Sequence, residues 1–261
     1  MIERIRRWVI TVFCWHVVLN CAFGSFVVGM PAALLVPRPL DRERRLPHRI
    51  GLFFWGWLVW QLNPFWRIEV EGAERLEQGG PHLICSNHQS LLDVLALMAL
   101  GGDFKWVSGL RFFKIPMLAA YMKITGYVAA DLKNPFSAGA VLEACSHWLG
   151  QGVSVGMFPE GTRSATGELG QFKPGAFRVA VEKDLAVLPV AISGTRDILP
   201  KNGFTFLGDS PFKTVRVKVL SPIPLDSLEE RTAVALSRAT RAAIQAQLDA
   251  WNGAGEVRAS A

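Results

Sequence analysis

VSVGMFPEGTRS, at residues 153–164, is the stretch from which the fold can be predicted most directly. Its first half is a short apolar run, the pattern of a buried strand, and its second half is a turn rich in proline and glycine. Open α/β sheets bind ligands at the carboxyl ends of their strands. The stretch therefore predicts a core strand and, in the turn that follows it, a candidate site.

Six further short apolar runs flank this one, and helical patterns lie between several of them. Strands that alternate with helices predict a three-layer αβα domain with a largely parallel, mixed sheet. The predicted strands are 67–70, 82–86, 104–107, 126–129, 153–158, 185–192 and 214–219. The predicted helices are 91–100, 116–124, 135–149, 175–183 and 228–251.

The first 66 residues have a different composition. Residues 8–36 contain no Lys, Arg, Asp or Glu, and about 20 apolar residues are enough to cross a bilayer. Arginines flank this run on both sides, at 4–7 and at 38–49. Basic residues favour the cytoplasmic side, so a membrane helical hairpin that dips into one leaflet fits the run better than an ordinary span. Residues 50–66, which carry four tryptophans, are expected to lie at the interface.

The chain thus divides into a membrane-associated helical segment at 1–66, an α/β domain at 67–252 and a disordered tail at 253–261. Half of the residues are hydrophobic and the net charge is +6, which suits a membrane surface or a phosphate-bearing ligand. The four cysteines and five histidines show no spacing typical of a disulfide scaffold or a metal site. No ATP-binding, dinucleotide-binding or nucleic-acid-binding pattern is present.

A histidine and an aspartate follow the second predicted strand, in the sequence SNHQSLLD at residues 86–93. His88 can take a proton near neutral pH, and Asp93 could fix its tautomer and stabilise the imidazolium. The alternative is a capping box, in which Ser90 caps the helix and Asp93 bonds back to it. Both interpretations remain open from the sequence.

The turn that ends strand 153–158 carries Glu160, Gly161, Thr162 and Arg163. Arginine offers a fork of donors and glycine allows close backbone approach, so the turn could form an anion pocket. The alternative is a surface turn with a local ion pair between Glu160 and Arg163.

These residues carry a resemblance to the glycerolipid acyltransferase family. Asn87, His88 and Asp93 are similar to its first sequence block, and FPEGTRS at 158–164 is identical to its third. FKPGAF at 172–177 and VLPV at 187–190 resemble two later motifs. The similarity covers roughly residues 67–225, and the resemblance implies a glycerol-3-phosphate acyltransferase-like fold.

The resemblance implies an O-acyltransferase bound to the cytoplasmic face of the inner membrane. It would move a fatty acyl group from an acyl-CoA or acyl carrier protein thioester to the sn-2 hydroxyl of 1-acyl-glycerol-3-phosphate, giving phosphatidic acid. No cofactor or metal is implied. The alternatives are acylation of a lysolipid with a different head group, and a non-catalytic membrane lipid-binding protein.

The resemblance also assigns roles to residues. His88 would be the general base on the acceptor hydroxyl and Asp93 would orient it. Arg163, with Gly161 and Thr162, would hold the acceptor phosphate, and Glu160 would position the glycerol backbone or brace Arg163. Lys173 is a second candidate anion contact, or else a solvated turn lysine. A covalent route through Ser86 or Ser90 is not favoured, because neither lies in a nucleophile elbow.

The second family block is where this sequence departs from the pattern. Gly109 stands where a lysine is expected, and Leu132 stands where an arginine is expected. Lys105, Arg111 and Lys133 are near enough in sequence to replace the missing charges.

Overall fold

The computed structural model describes residues 1–131, 133–134, 137–206 and 212–259. Its centre is a seven-stranded sheet with the order β1-β7-β6-β2-β5-β3-β4. The strands are β1 (Trp66–Glu71), β2 (Leu83–Ser86), β3 (Phe104–Gly109), β4 (Val128–Ala130), β5 (Ser154–Met157), β6 (Val187–Ser193) and β7 (Lys213–Val219). Each of the seven predicted strands overlaps one of these.

Strand direction follows the predicted mixed, mainly parallel pattern. The five strands from β6 to β4 run parallel to one another, whereas β7 pairs antiparallel with β6 and β1 pairs parallel with β7. In the parallel part, β2 lies between β6 and β5, and β3 is the next strand beyond β5. The loops that follow β2, β5, β3 and β6 therefore meet at one edge, where the candidate site residues lie.

Helices cover both faces of the sheet, which confirms the three-layer αβα fold. One core contains residues of α1 (Ile2–Leu35), α3 (Val59–Gln61), α4 (Leu92–Met98) and α8 (Thr195–Ile198). The other contains residues of α6 (Ala138–Gly150), α7 (Arg178–Lys183) and α9 (Ala233–Ala259). The remaining helices, α2 (Arg45–Gly51), a π-helical stretch (Leu52–Leu58) and α5 (Pro116–Ile124), pack against α1.

The last helix differs from the prediction at both ends. It begins at Ala233 rather than 228, because Thr232 caps it by accepting a hydrogen bond from the backbone N–H of Ala235. It continues to Ala259, through residues for which the sequence predicts a disordered tail. The division into domains at 66/67 and 252/253 stays a prediction.

The N-terminal hairpin is present, but its turn lies at 36–44 and not within residues 8–36. Helix α1 is continuous for 34 residues, a length of about 50 Å at 1.5 Å per residue. The second arm returns antiparallel to it: Trp55 donates to Ser25 at 3.2 Å and Asn63 to Cys14 at 3.4 Å. The charge pattern constrained only the two ends of the run, and the chain breaks where Pro37 and Pro39 end the helix.

The hairpin packs on the α/β domain and leaves an apolar face uncovered. Gly56 lies so close to the domain that a Cβ there would be 2.2 Å from the carbonyl oxygen of Met98. On the other side α1 exposes large apolar side chains along its whole length, among them Val9, Val12, Leu19 and Phe23. Among the described residues, α1 is the one helix long and apolar enough to cross a membrane.

Candidate active site

His88 and Asp93 form a hydrogen-bonded pair just beyond the carboxyl end of β2. The distance from His88 Nδ1 to Asp93 Oδ2 is 2.8 Å, and the Asp93 side chain is fully buried. A buried carboxylate on Nδ1 favours the tautomer with the proton on Nδ1, which leaves Nε2 able to accept a proton. No described residue hydrogen-bonds to Nε2.

The carboxylate of Asp93 also has the capping role that the sequence left open. Its Oδ2 accepts hydrogen bonds from the backbone N–H groups of Gln89 and Ser90, at 2.6 and 2.8 Å. Its Oδ1 accepts a hydrogen bond from the hydroxyl of Thr195. These hydrogen bonds confirm the capping interpretation. The other interpretation, in which Asp93 orients His88 for proton transfer, stays a prediction with which the Nδ1–Oδ2 hydrogen bond agrees.

Two aromatic side chains support the His88 ring. Phe158, at the end of the β5 segment, stacks on the imidazole with centroids 3.8 Å apart and an interplanar angle of 13°. Trp106 of β3 in turn stacks on Phe158, with centroids 5.6 Å apart. This stack and the Asp93 hydrogen bond hold the imidazole in one orientation.

The Glu160 carboxylate links its own turn to the His88 loop by accepting backbone hydrogen bonds. Its Oε1 accepts the N–H of His88 at 2.7 Å, and its Oε2 accepts the N–H of Gly170 at 3.1 Å. Burial raises the pKa of this carboxyl, and the two N–H groups partly oppose that rise. No ion pair joins it to Arg163 within the described chain, so the local ion-pair interpretation was wrong. The carboxylate braces the His88 loop.

Arg163 is a partly buried cation in the turn that follows β5. No described residue forms a hydrogen bond or an ion pair with its guanidinium. Burial lowers its pKa, and so, to a smaller extent, does the positive charge of Arg111. Lys201 donates from Nζ to the Arg163 carbonyl oxygen at 2.5 Å and so fixes the backbone of the turn. An unpaired guanidinium beside a second arginine suits an anionic ligand.

The other predicted contacts of the turn lie around Arg163. Gly161 has φ +69°, and the Lys173 amine lies beside it, 2.9 Å from where a Cβ would stand. Thr162 is exposed, and its hydroxyl is 3.4 Å from Lys201 Nζ. The turn therefore carries a lysine on each side.

Arg111 is an exposed residue near Gly109. A Cβ at Gly109 would lie 4.0 Å from Arg111 Cγ, so the arginine stem runs beside the point where the missing lysine would start. Lys105 cannot replace that lysine, because it is buried at the amino end of β3 and donates to the Arg44 carbonyl oxygen. Lys133 follows β4 and is exposed, and Leu132 lies outside the described residues.

Sequence reasoning missed Thr195 and Lys201. Both missed residues follow β6, more than 100 residues after His88, and carry no motif of their own. The Ser86 hydroxyl donates to the Asn87 carbonyl and the Ser90 hydroxyl to the Leu199 carbonyl. Both hydroxyls are thus engaged in holding the loop, as expected if neither is a nucleophile.

The backbone of Gly161 gives a stability prediction. Gly161→Ala would place a side chain at φ +69° and against Lys173, and a left-handed residue costs about 1–2 kcal/mol. We expect a melting temperature several degrees below that of the wild type. Gly175→Ala is the matched control, because no atom lies within 4 Å of its Cβ position. Equal melting temperatures for the two variants would show that the turn is not held as described.

The chain is similar in sequence to known acyltransferases. A family model described as Acyltransferase matches residues 67–193. The chloroplastic 1-acyl-sn-glycerol-3-phosphate acyltransferase LPAT1 of Arabidopsis thaliana is 37% identical over 76% of this chain and 53% of its own length. The alpha form from Homo sapiens is 31% identical over 67% of this chain and 61% of its own length. The chain therefore spans little more than half the length of these relatives.

A solved structure shows the same fold along nearly the whole chain. It is that of the 1-acyl-sn-glycerophosphate acyltransferase PlsC from Thermotoga maritima, with a TM-score of 0.76, 23% identity and coverage of 95% of this chain and 97% of that one. The family-model match falls within the α/β domain, where the His88–Asp93 loop and the turn at 160–163 meet at the carboxyl end of the parallel strands. The chain belongs to the glycerolipid acyltransferase family.

Proposed function

We propose that the protein transfers a fatty acyl group from a thioester to the sn-2 hydroxyl of 1-acyl-glycerol-3-phosphate, giving phosphatidic acid. The observation that carries the proposal is the His88–Asp93 pair, with Nε2 open, beside the unpaired cation Arg163. A base and an anion site at one strand edge suit a substrate that carries both a hydroxyl and a phosphate. The sequence relatives carry this activity in their names.

His88 would act as the general base. Nε2 takes the proton of the acceptor hydroxyl as its oxygen attacks the thioester carbonyl, and the Asp93 carboxylate stabilises the imidazolium. When the tetrahedral intermediate collapses, the C–S bond breaks and the imidazolium returns the proton to the leaving thiolate. No acyl-enzyme is needed, because the hydroxyl is the nucleophile. The thioester carrier would be coenzyme A or acyl carrier protein.

The acceptor phosphate would lie between Arg163 and Arg111. These residues follow β5 and β3, which are neighbours in the sheet, and the charge of Arg111 reaches Arg163. Arg111 makes no ion pair with any described residue; its guanidinium lies over the Phe112 ring at 4.8 Å. Two unpaired arginines can hold a phosphate dianion and would compensate for the missing lysine at Gly109.

Arg163→Ala is expected to raise the KM for the phosphate-bearing acceptor about 10- to 100-fold, because hydrogen bonds to charged groups are worth about 1.5–3 kcal/mol. Arg163→Lys should restore part of the affinity, since an ammonium cannot replace the bidentate fork. Initial-rate kinetics with varied acceptor measure this, and Arg178→Ala, an exposed arginine on α7, is the control. A rise in the donor KM at constant acceptor KM would assign the pocket to the donor.

Membrane binding is proposed from the N-terminal hairpin. Exposed apolar side chains of α1, together with Phe53 and Trp57 of the π-helical stretch, would enter the cytoplasmic leaflet. The arginines at both ends of α1 would contact anionic head groups. Cysteines introduced near Arg4 and Arg42 should both be labelled from the cytoplasmic side. Labelling from opposite sides would mean that α1 spans the membrane.

The experiment that tests the proposed function is an acyl-transfer assay on the purified full chain. The acceptors are lysolipids with phosphate, zwitterionic and uncharged head groups, each tested with coenzyme A and carrier-protein thioesters. We expect the highest kcat/KM for 1-acyl-glycerol-3-phosphate. A preference for another head group would leave acyl transfer in place and move the acceptor assignment to a different lysolipid.

A further inference from the structure

A basic cavity lies near the amino ends of the parallel strands, at the end of the sheet away from His88. It is a cavity of about 510 Å³ formed by the hairpin turn and by the ends of α5 and α6. Both helices end where the chain enters the amino ends of β4 and β5, whereas His88 follows the carboxyl end of β2. Its lining includes Arg38, Arg42, Arg44, Lys123, His147 and Trp148.

The positive charge of this cavity is not neutralised from within it. None of the described residues that line it is acidic. Two acids, Asp41 and Glu43, belong to the same turn, and the charges of both reach Lys105. The Asp41 carboxylate accepts the backbone N–H groups of Arg45 and Leu46. These two acids are fewer than the four Arg and Lys side chains of the lining. Asp103 forms its ion pairs with Arg45 and Arg49, which do not line this cavity. The cavity therefore has a surplus of cations that an anionic ligand would balance.

The turn that carries these arginines is held in place by a buried lysine of β3. Lys105, which is 1% exposed, donates from Nζ to the Arg44 carbonyl oxygen at 3.0 Å and lies 5.1 Å from the centre of the Trp148 ring. Arg44 has φ +52° and donates to the Ala33 carbonyl oxygen at the end of α1. A buried lysine and a non-glycine residue with positive φ are both costly, so the floor of the cavity is a built structure.

Three exposed leucines lie close in sequence to the arginines that line the cavity. Leu34, Leu35 and Leu40, which precede the turn or lie within it, are 73%, 80% and 80% exposed. Exposed leucines beside a cluster of cations match the two parts of an amphiphile, an anionic head group and its acyl chains. A free inorganic anion would make no use of the leucines.

We propose that this cavity binds the phosphate head group of an anionic phospholipid, with the acyl chains lying along the three leucines. The site is separate from the acyl-transfer site and goes beyond the proposed function. It would fix the hairpin turn at the membrane surface through one specific lipid.

Calorimetric titration of the purified full chain in neutral detergent tests the proposal. The probe is dihexanoyl phosphatidylglycerol below its micelle concentration, with dihexanoyl phosphatidylcholine as the uncharged-head comparison. The site variant combines Arg38→Ala, Arg42→Ala and Lys123→Ala, which are exposed positions and leave Arg44 and Lys105 intact. The charge-matched control combines Arg67→Ala, Arg178→Ala and Arg238→Ala, which are exposed positions on β1, α7 and α9 and do not line the cavity.

We expect saturable binding of phosphatidylglycerol, weakened by about 100-fold in the site variant at roughly fivefold per cation. The control variant and Arg163→Ala should bind as the wild type does. Equal weakening of phosphatidylglycerol binding in both triple variants would mean that the lipid is attracted by diffuse charge. Loss of binding in Arg163→Ala alone would place the lipid in the acyl-transfer site. Either result overturns the proposal.

Two further arms separate the lipid from a free anion and from the catalytic account. If inorganic phosphate bound as tightly as phosphatidylglycerol and this binding were lost in the site variant, the assignment to a lipid would be overturned. Acyl transfer in detergent should be the same in the site variant and the wild type. This arm distinguishes a failure of the lipid site from a failure of the proposed function.

Discussion

Asp93→Asn is expected to lower kcat by about 10⁴-fold, the effect that the same exchange has in a Ser-His-Asp triad. If the amide nitrogen faces His88, it fixes the wrong tautomer; if the amide oxygen does, no negative charge balances the imidazolium. Steady-state kinetics at saturating substrates measure this. The loss should be in kcat, because no substrate contact is removed.

The same variant separates catalysis from capping. Asn and Asp are nearly equivalent at helix caps, and an Asn oxygen could still accept the N–H groups of Gln89 and Ser90. We therefore expect a melting temperature close to that of the wild type. Near-normal turnover in Asp93→Asn would show that the carboxylate serves the loop alone and that His88 needs no partner.

His88→Ala is expected to lower kcat by about 10²–10⁴-fold, the usual contribution of general acid–base catalysis. The side chain is mostly buried against Phe158, so its removal also leaves a gap under the stack. His16→Ala, an exposed position on α1, is the matched control and should retain full activity. Activity of His88→Ala within a few-fold of the wild type, in protein with an unchanged circular dichroism spectrum, would remove the general base from the mechanism.

Much of the fold could be predicted because its core strands are short, apolar and bounded by glycine or proline. The order of the strands could not, since periodicity says nothing about which strands are neighbours, nor that β7 runs antiparallel to β6. The hairpin turn was misplaced for a related reason. Charge at the two ends of α1 limits where those ends lie, but does not locate the bend between them.

The site was predictable only where one sequence block contains the partners. The pairing of His88 with Asp93 spans five residues and could be proposed from the sequence. The bond from Glu160 to the His88 N–H spans 72 residues, and the one from Thr195 to Asp93 spans 102. Those contacts depend on which strands are adjacent, so they became visible only with the sheet.

The most direct test of the central claim follows a labelled acyl group from the thioester to its product. The purified full chain and His88→Ala are given labelled acyl thioester with 1-acyl-glycerol-3-phosphate, and the position of the label is found by selective hydrolysis of the sn-2 ester. The account predicts labelled phosphatidic acid, with the label at sn-2, from the wild type and almost none from His88→Ala. Equal labelling by both proteins, or no transfer by the wild type with either thioester carrier, would contradict it.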